Sequence, residues 1–425
     1  MKIKVYDAMM GSGKTTKLIE DIAALPADAN VIYITPLLSE CHRVAGTSYD
    51  EEDEYKRPIV SYQDTEDGIE EYVYDPKHIL CNRRFRHPGL SEGSKMETLL
   101  FQVKHGCNIV STHSLFRAIN PKVVAEVSRQ GYILVLDEVL SIYETFAELK
   151  LDEVEQLFKN EILSVDSDGL TLAFNKIKFG ETENTRYQEI ADLCEMKQLM
   201  LVDGKVVIWE FPISALQAFS EVWIGTYLFD GSQMAAYLRS HGVQFEMNRF
   251  GKKPSQIKHL IKIEESSALN KVGDSKGSLS YQSTAVKKTH NEQLRKNLNT
   301  FFRAKNKTKI HERLWTIYKP ASREVSAGRY AKSWLAYGTK ATNDWKDTWC
   351  VAYLINLYVN PMIMKLLAQK ASNMDQTLYA LSEMVQFIWR SAIREEKEIT
   401  LYIPSKRMRE LLKAWLNDEY EEKGV

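Results

Sequence analysis

The stretch KIKVYDAMMGSGKTTKLIEDIAAL, Lys2 to Leu25, divides into three pieces of different character. Ile3, Val5 and Tyr6 form a short apolar run that predicts a buried strand. Ala8-Met9-Met10-Gly11-Ser12-Gly13 is a glycine-bearing loop. From Lys14 onward, Leu18, Ile19, Ile22 and Ala23 recur on one face of a helix. Strand, loop and helix in that order is the setting in which A-x-x-G-x-G-K-T spacing reads as a phosphate-binding loop, with Ala8 where a first glycine is usual. Gly11, Ser12, Gly13, Lys14, Thr15 and Thr16 are therefore the expected nucleotide-binding residues. Loop N–H groups and the positive end of the helix would face the phosphates, and Lys14 would reach the β- and γ-phosphates as a point charge. The Thr15 hydroxyl would complete the oxygen shell of a Mg²⁺ ion. A glycine turn before an ordinary helix is the plain alternative, and the position of Gly-Lys-Thr directly after a strand weighs against it.

A second stretch pairs with the first. Tyr132-Ile133-Leu134-Val135-Leu136-Asp137-Glu138 is the most apolar strand candidate in the chain and ends in two carboxylates. A continuous apolar run predicts a central parallel strand, and carboxylates at its carboxyl end predict a site opening there. Asp137 is expected to hold the Mg²⁺, and Glu138 to act as general base on the attacking water. The alternative is that Asp-Glu merely caps the next helix.

Length and composition bound the rest. A chain of 425 residues implies roughly two to three domains. No apolar run approaches the roughly 20 residues of a membrane span, and the first residues run straight into the loop strand, so a cytoplasmic protein without membrane association is expected. Cys41, Cys81, Cys107, Cys194 and Cys350 are odd in number and scattered, which fits reduced thiols and predicts neither an iron–sulfur cluster nor structural zinc. A net charge of −1 hides an asymmetry: residues 50–71 hold ten acidic residues, and residues 249–323 hold eighteen Lys/Arg against five Asp/Glu. The basic part is where a phosphate backbone would lie, or else a solvated flexible segment.

Read in order, the chain predicts an α/β first domain over 1–248, with insertions at about 46–98 and 145–215, the second mainly helical. A basic junction is expected over 249–310, and a second α/β unit over 311–425 with a strand at 333–336 and a long amphipathic helix over 375–393. On that helix Arg390 and Arg394, four residues apart, would share a face, close to Gln386. Arginines so placed would supply the cation that γ-phosphate transfer needs, unless they are ordinary solvent-facing ion-pair partners.

In order, AMMGSGKT, IVSTHSLF, VLDEVL, IGT, a Thr-Lys-Ala-Thr-Asn turn and QFIWRSAIR resemble the motifs of two-lobed superfamily-two helicases of the DExD/H-box type, particularly helicase-like proteins of bacteriophages and mobile elements. The resemblance implies two RecA-like lobes, ATP and Mg²⁺ in the cleft, and single-stranded nucleic acid, DNA by expectation though RNA is not excluded, across the top. It also implies catalytic roles for Lys14, Asp137, Glu138, Gln386, Arg390 and Arg394. Contacts to the strand are implied for Thr35, Pro36, Thr112, His113, Thr339, Thr342 and Asn343, and replication proteins as partners. Departures are the Val-Leu after Asp137-Glu138 and Trp389 where a glycine is usual. A packaging ATPase of the terminase type and a non-translocating, nucleotide-gated loading factor are the alternatives.

Overall fold

The structure, a computed structural model, describes residues 1–45, 47–48, 59–64, 70–74, 83–180, 182, 185–339 and 344–420. Seven parallel strands build the N-terminal sheet, in the spatial order Glu246–Arg249, Lys2–Asp7, Glu221–Thr226, Ile133–Asp137, Val31–Thr35, Asn108–Thr112 and Phe85–Arg86. Ile133–Asp137 and Val31–Thr35 are buried at every position, as their uninterrupted apolar, β-branched sequences demand of strands covered on both faces. Parallel pairing puts all the carboxyl ends on one edge. The phosphate loop, Thr35, Thr112 and Asp137-Glu138 accordingly emerge together.

The helix Lys14–Ala23 buries Leu18, Ile19 and Ile22 against this sheet. Its carboxyl end is closed from a distance: Arg83 donates to the carbonyls of Ile22, Ala29 and Leu25. A cation there also meets the negative end of the helix dipole.

Residues 145–215, expected to be mainly helical with a strand-like piece at Val206–Trp209, hold that strand but more β-structure than expected. Helices Leu151–Lys159 and Arg186–Glu195 are present, but Tyr143–Thr145, Leu199–Val202 and Val206–Glu210 form an antiparallel sheet, beside a hairpin of Leu163–Val165 with Leu172–Phe174. Short alternating strands among charged residues give a weaker period than the helices around them. Of the 46–98 insertion, Thr47–Ser48, Ile59–Asp64 and Glu70–Tyr74 form a small antiparallel sheet. Phe85–Arg86 and the helix Lys95–Lys104 belong to the N-terminal domain itself.

The C-terminal sheet has four parallel strands in the order Ile261–Ile263, Ile399–Tyr402, Cys350–Tyr353 and Arg313–Thr316. Its first strand lies inside the segment expected to be a basic junction. That segment is folded: Leu294, Leu298, Phe301 and Phe302 enter one core with Trp315, Ala352 and Tyr402. Apolar residues three and four apart were diluted by lysine and asparagine, which lowered the mean hydropathy without removing the buried face. The strand expected at 333–336 is instead a 3₁₀ turn, Ala331–Ser333, with a single bridge from Trp334 to Trp315.

The two domains pack closely. Met9 and Tyr227 sit in a core otherwise built from C-terminal residues, and Val359, Ile363, Leu366, Leu367 and Met374 sit in the N-terminal core. No helix among the described residues is long and apolar enough to cross a membrane. Cys41, Cys107, Cys194 and Cys350 are free thiols.

Candidate active site between the two domains

Two glycines shape the loop. Gly11 and Gly13 have φ of 75° and 79°, values that residues with a Cβ rarely adopt. Gly13 is the N-cap of the following helix, and no side chain caps that end. The first N–H groups of the helix thus face outward beside an exposed Gly11, Gly13 and Thr16. Lys14 folds back under the loop, its Nζ donating to the Ala8 carbonyl at 2.7 Å. It is 8% exposed. Burial lowers its pKa, opposed by the carboxylates of Glu138, Asp137 and Asp7.

The strand Glu221–Thr226 separates the loop strand from the carboxylate strand, with Gly225 opposite both Tyr6 and Asp137. A Cβ on Gly225 would lie 2.8 Å from Leu18 Cδ1 and 3.8 Å from Asp137 Oδ1. A side chain here would push the end of Leu18 aside, while its contact with Asp137 would be ordinary. Asp137 accepts from Thr15 Oγ1 at 3.1 Å through Oδ2, with Oδ1 at 3.3 Å, and from the Tyr33 hydroxyl at 2.9 Å. Burial raises the Asp137 pKa and Glu138 adds to it, while Tyr33, Thr15 and Lys14 pull it back. A hydroxyl and a carboxylate converging on one point are hard oxygen donors of the kind Mg²⁺ takes. These residues fit that ion.

Glu138 has φ of 78°, an uncommon conformation for a side-chain-bearing residue that costs on the order of 1 kcal/mol. Its N–H is held by the Gly225 carbonyl at 2.9 Å. The turn aims Glu138 into a cavity of about 410 Å³, lined from the N-terminal domain by Glu138, Ser141, Thr226 and Gln233 and from the C-terminal domain by Tyr337, Glu383, Gln386 and Arg390. Burial disfavours the Arg390 charge, Glu138 and Glu383 favour it, and Arg394 opposes it. Arg390 Nε is buried, with no hydrogen-bond partner among the described residues. Gln386 donates to Ser382 Oγ, which donates to the Tyr227 carbonyl across the domain boundary.

The helix carrying these residues is shorter than expected. It spans Gln376–Ile388 and gives way to a 3₁₀ turn, Ala392–Glu395. Ser391 Oγ donates to the Ile388 carbonyl at 2.6 Å, and the Ala392 N–H leaves the helix for the Thr348 carbonyl. Arg390 and Arg394 therefore do not share one α-helical face. Arg390 lines the cavity, and Arg394 is exposed.

The expected strand-binding residues are less open. Thr35 is fully buried, because it closes a strand buried throughout, and it pairs in register with Thr112. His113 is 9% exposed, whereas Pro36, Thr112 and Thr339 are half-buried. Thr342 and Asn343 lie outside the described residues.

Several residues beside the loop carry no motif. Asp7 accepts from the N–H groups of Leu228 and Phe229, and its place immediately before the loop was the one available signal. A Cβ on Gly11 would lie 3.7 Å from Trp389 Nε1. Gly251 lies so close to Ser12 that a Cβ there would come within 2.5 Å of Ser12 Cβ, and the Lys252 N–H donates to Ser12 Oγ at 3.3 Å.

Fold and site together define an α/β protein of two parallel-sheet domains meeting around a loop, a carboxylate pair and an arginine. Residues 255–416 match the YonV C-terminal Rossmann-like domain, and residues 144–209 match the YonV middle domain. The SPbeta prophage-derived uncharacterized protein YonV of Bacillus subtilis (strain 168) is 30% identical over 443 residues, covering 98% of this chain and 99% of that protein. The chain belongs to the YonV family.

Proposed function

We propose that the chain is an ATP-dependent helicase or translocase on single-stranded nucleic acid, serving replication of a phage or mobile element. The reading is carried by one observation: Glu138 and Arg390, from different domains, line the same cavity. The prophage origin stated for the B. subtilis relative supports the setting. The order of the N-terminal strands, with one strand between the loop strand and the carboxylate strand, supports RecA-like lobes.

In this reading Lys14 and the loop N–H groups hold the β- and γ-phosphates, and Thr15 with Asp137 would hold Mg²⁺, which would supply neutralising charge. Glu138 takes a proton from the attacking water as its oxygen bonds to the γ-phosphorus. The bond to the bridging oxygen breaks, giving ADP and phosphate. Arg390 meets the charge that develops on the γ-phosphoryl oxygens, a role for which its desolvated setting suits it. The test is ATP hydrolysis with and without single strands, followed by displacement of a strand from a tailed duplex. Hydrolysis lost in Lys14→Ala and stimulated by strands is the expected result; a wild-type rate indifferent to nucleic acid would count against it.

A second reading, a nucleotide-gated binding factor that does not translocate, is favoured by the depth of the domain interface. Trp415 Nε1 donates to the Tyr227 hydroxyl at 2.6 Å and Ser372 Oγ to the Ala236 carbonyl at 2.9 Å. Strand stimulation without displacement would select this reading.

A further inference from the structure

The carboxyl edge of the C-terminal sheet carries an aromatic cluster that none of the motifs accounts for. Tyr281 packs edge-on against Tyr318, with ring centroids 5.3 Å apart, and Tyr318 packs edge-on against Tyr337 at 5.9 Å. Tyr358 adjoins them: its hydroxyl donates to the Lys276 carbonyl at 3.2 Å, and the Arg407 guanidinium lies 4.5 Å over its ring. The cluster has an inside and an outside. Tyr318 is 7% exposed, whereas Tyr281 is 53% exposed and the neighbouring Val286 55%.

Geometry fixes the outer ring in place. Asn356, just past the strand Cys350–Tyr353, donates from Nδ2 to the Ser278 carbonyl at 3.0 Å and from its backbone to the Leu279 carbonyl at 2.8 Å. The loop ahead of Tyr281 is thereby pinned to the sheet edge, and Tyr281 opens a π-helical turn, Gln282–Val286. Such turns are rare and concentrate at functional places. The segment that carries the ring is locally basic, with Glu324 on the neighbouring helix as a nearby carboxylate. Residues 275–290 contain Lys276, Lys287 and Lys288 and no carboxylate. Lys288 lies 3.7 Å from Glu324, and Lys276 and Lys287 are exposed.

We propose that this face docks a single-stranded nucleic acid, with a base stacked on Tyr281 and the adjoining phosphates met by Lys276 and Lys287. An exposed ring flanked by lysines complements a chain that alternates π-faces with negative charge. A duplex hides its base faces, so the ring selects single strands. The inner end of the cluster gives the face a second role, which rests on the hydrolysis reading above. Tyr337 lines the cavity that holds Glu138 and Arg390, so a base seated on Tyr281 presses on a packed row of rings that ends at the hydrolytic site.

The test measures anisotropy of labelled oligo-dT and oligo-U of about 20 nucleotides, a length that covers the usual site sizes, together with hydrolysis in the absence of any strand. Tyr281→Ala is expected to weaken binding by roughly tenfold or more, and Tyr281→Trp to restore it. The pair Lys276→Gln and Lys287→Gln is expected to reduce the salt dependence of binding by about 1.4 in logarithmic slope, at ~0.7 per phosphate. Strand-free hydrolysis stays at the wild-type rate in all of them, and whichever of the two oligonucleotides binds more tightly identifies the strand. Wild-type affinity in both Tyr281→Ala and the lysine pair overturns the docking face and leaves the hydrolysis reading standing. Failure of the wild-type chain to bind either oligonucleotide overturns the docking face and the strand-translocase reading, while strand-free hydrolysis reports separately on the nucleotide site.

Discussion

Tyr33 donates its hydroxyl proton to Asp137 Oδ2 across 2.9 Å, from a ring with no exposed surface. The two residues come from adjacent strands, and the bond fixes the carboxylate that also accepts from Thr15. Groups that orient a metal-binding carboxylate affect affinity nearly as strongly as the ligand does. Tyr33→Phe is expected to raise the Mg²⁺ concentration for half-maximal ATP hydrolysis by roughly tenfold and to cost about 1–2 kcal/mol of stability. Magnesium titrations of the hydrolysis rate, beside urea unfolding, check both. An unchanged magnesium requirement would mean that Asp137 needs no such support.

Arg390 and Arg394 separate in the structure, and their variants should separate in kinetics. Arg390 lines the cavity with Glu138, whereas Arg394 is exposed past the helix end. Arg390→Ala is expected to lower kcat by about 10³, the lower end of what an arginine at a transferring phosphoryl group contributes. Nucleotide affinity should hold within a few-fold. Arg394→Ala is expected to cost roughly tenfold or less, through the weaker charge it adds from a solvated position. Steady-state rates with equilibrium nucleotide binding distinguish them; equal losses would return both arginines to the reaction.

Asp137 carries a pH signature. Its folded pKa is raised, by burial first and by Glu138 second. A carboxyl that holds its proton more tightly in the folded state contributes stability below its unfolded value, near 4, and loses that contribution as pH rises through the folded value. Asp137→Asn removes this titration. The stability of the wild-type chain relative to Asp137→Asn is therefore expected to fall as pH rises above about 4. The comparison is of slopes, so a constant loss from the counter-charge that Lys14 would miss does not enter. Urea unfolding of both proteins across this range provides the check, and parallel curves would place Asp137 at its ordinary value.

The loop, the carboxylate strand and their parallel sheet were legible because each rests on local chemistry: an apolar run, glycines at fixed offsets, and charge at a strand end. What escaped depends on pairs far apart in sequence. Tyr33 reads as one more apolar strand residue, and nothing local announces that its hydroxyl reaches a carboxylate more than a hundred positions later. The break after Ile388 was hidden because residues 375–393 keep a helical period through it, while Thr348, from another strand end, captures the Ala392 N–H. Residues 249–310 misled in the opposite direction. Their lysines and asparagines set the average, and a few apolar residues at helical spacing set the structure.

Gly231 lies at a close approach of the domains, and its substitution tests whether that approach matters. A Cβ there would lie 2.4 Å from Leu378 Cβ and 2.6 Å from the Leu378 carbonyl carbon. Its φ is not positive, so alanine fits the local backbone. The clash is with Leu378 and the main chain of the other domain, and it is relieved by moving the helix Gln376–Ile388 away. That helix ends just before Arg390, so the displacement withdraws the guanidinium from Glu138. A shift of about 1 Å at a reacting centre costs on the order of 10² in rate, and Gly231→Ala is expected to lose about that much single-turnover hydrolysis. ADP affinity should stay near wild type, because the loop, Lys14 and Thr15 lie wholly in the N-terminal domain. Hydrolysis at the wild-type rate in a folded Gly231→Ala would show that the C-terminal arginine reaches the phosphates from a different domain arrangement.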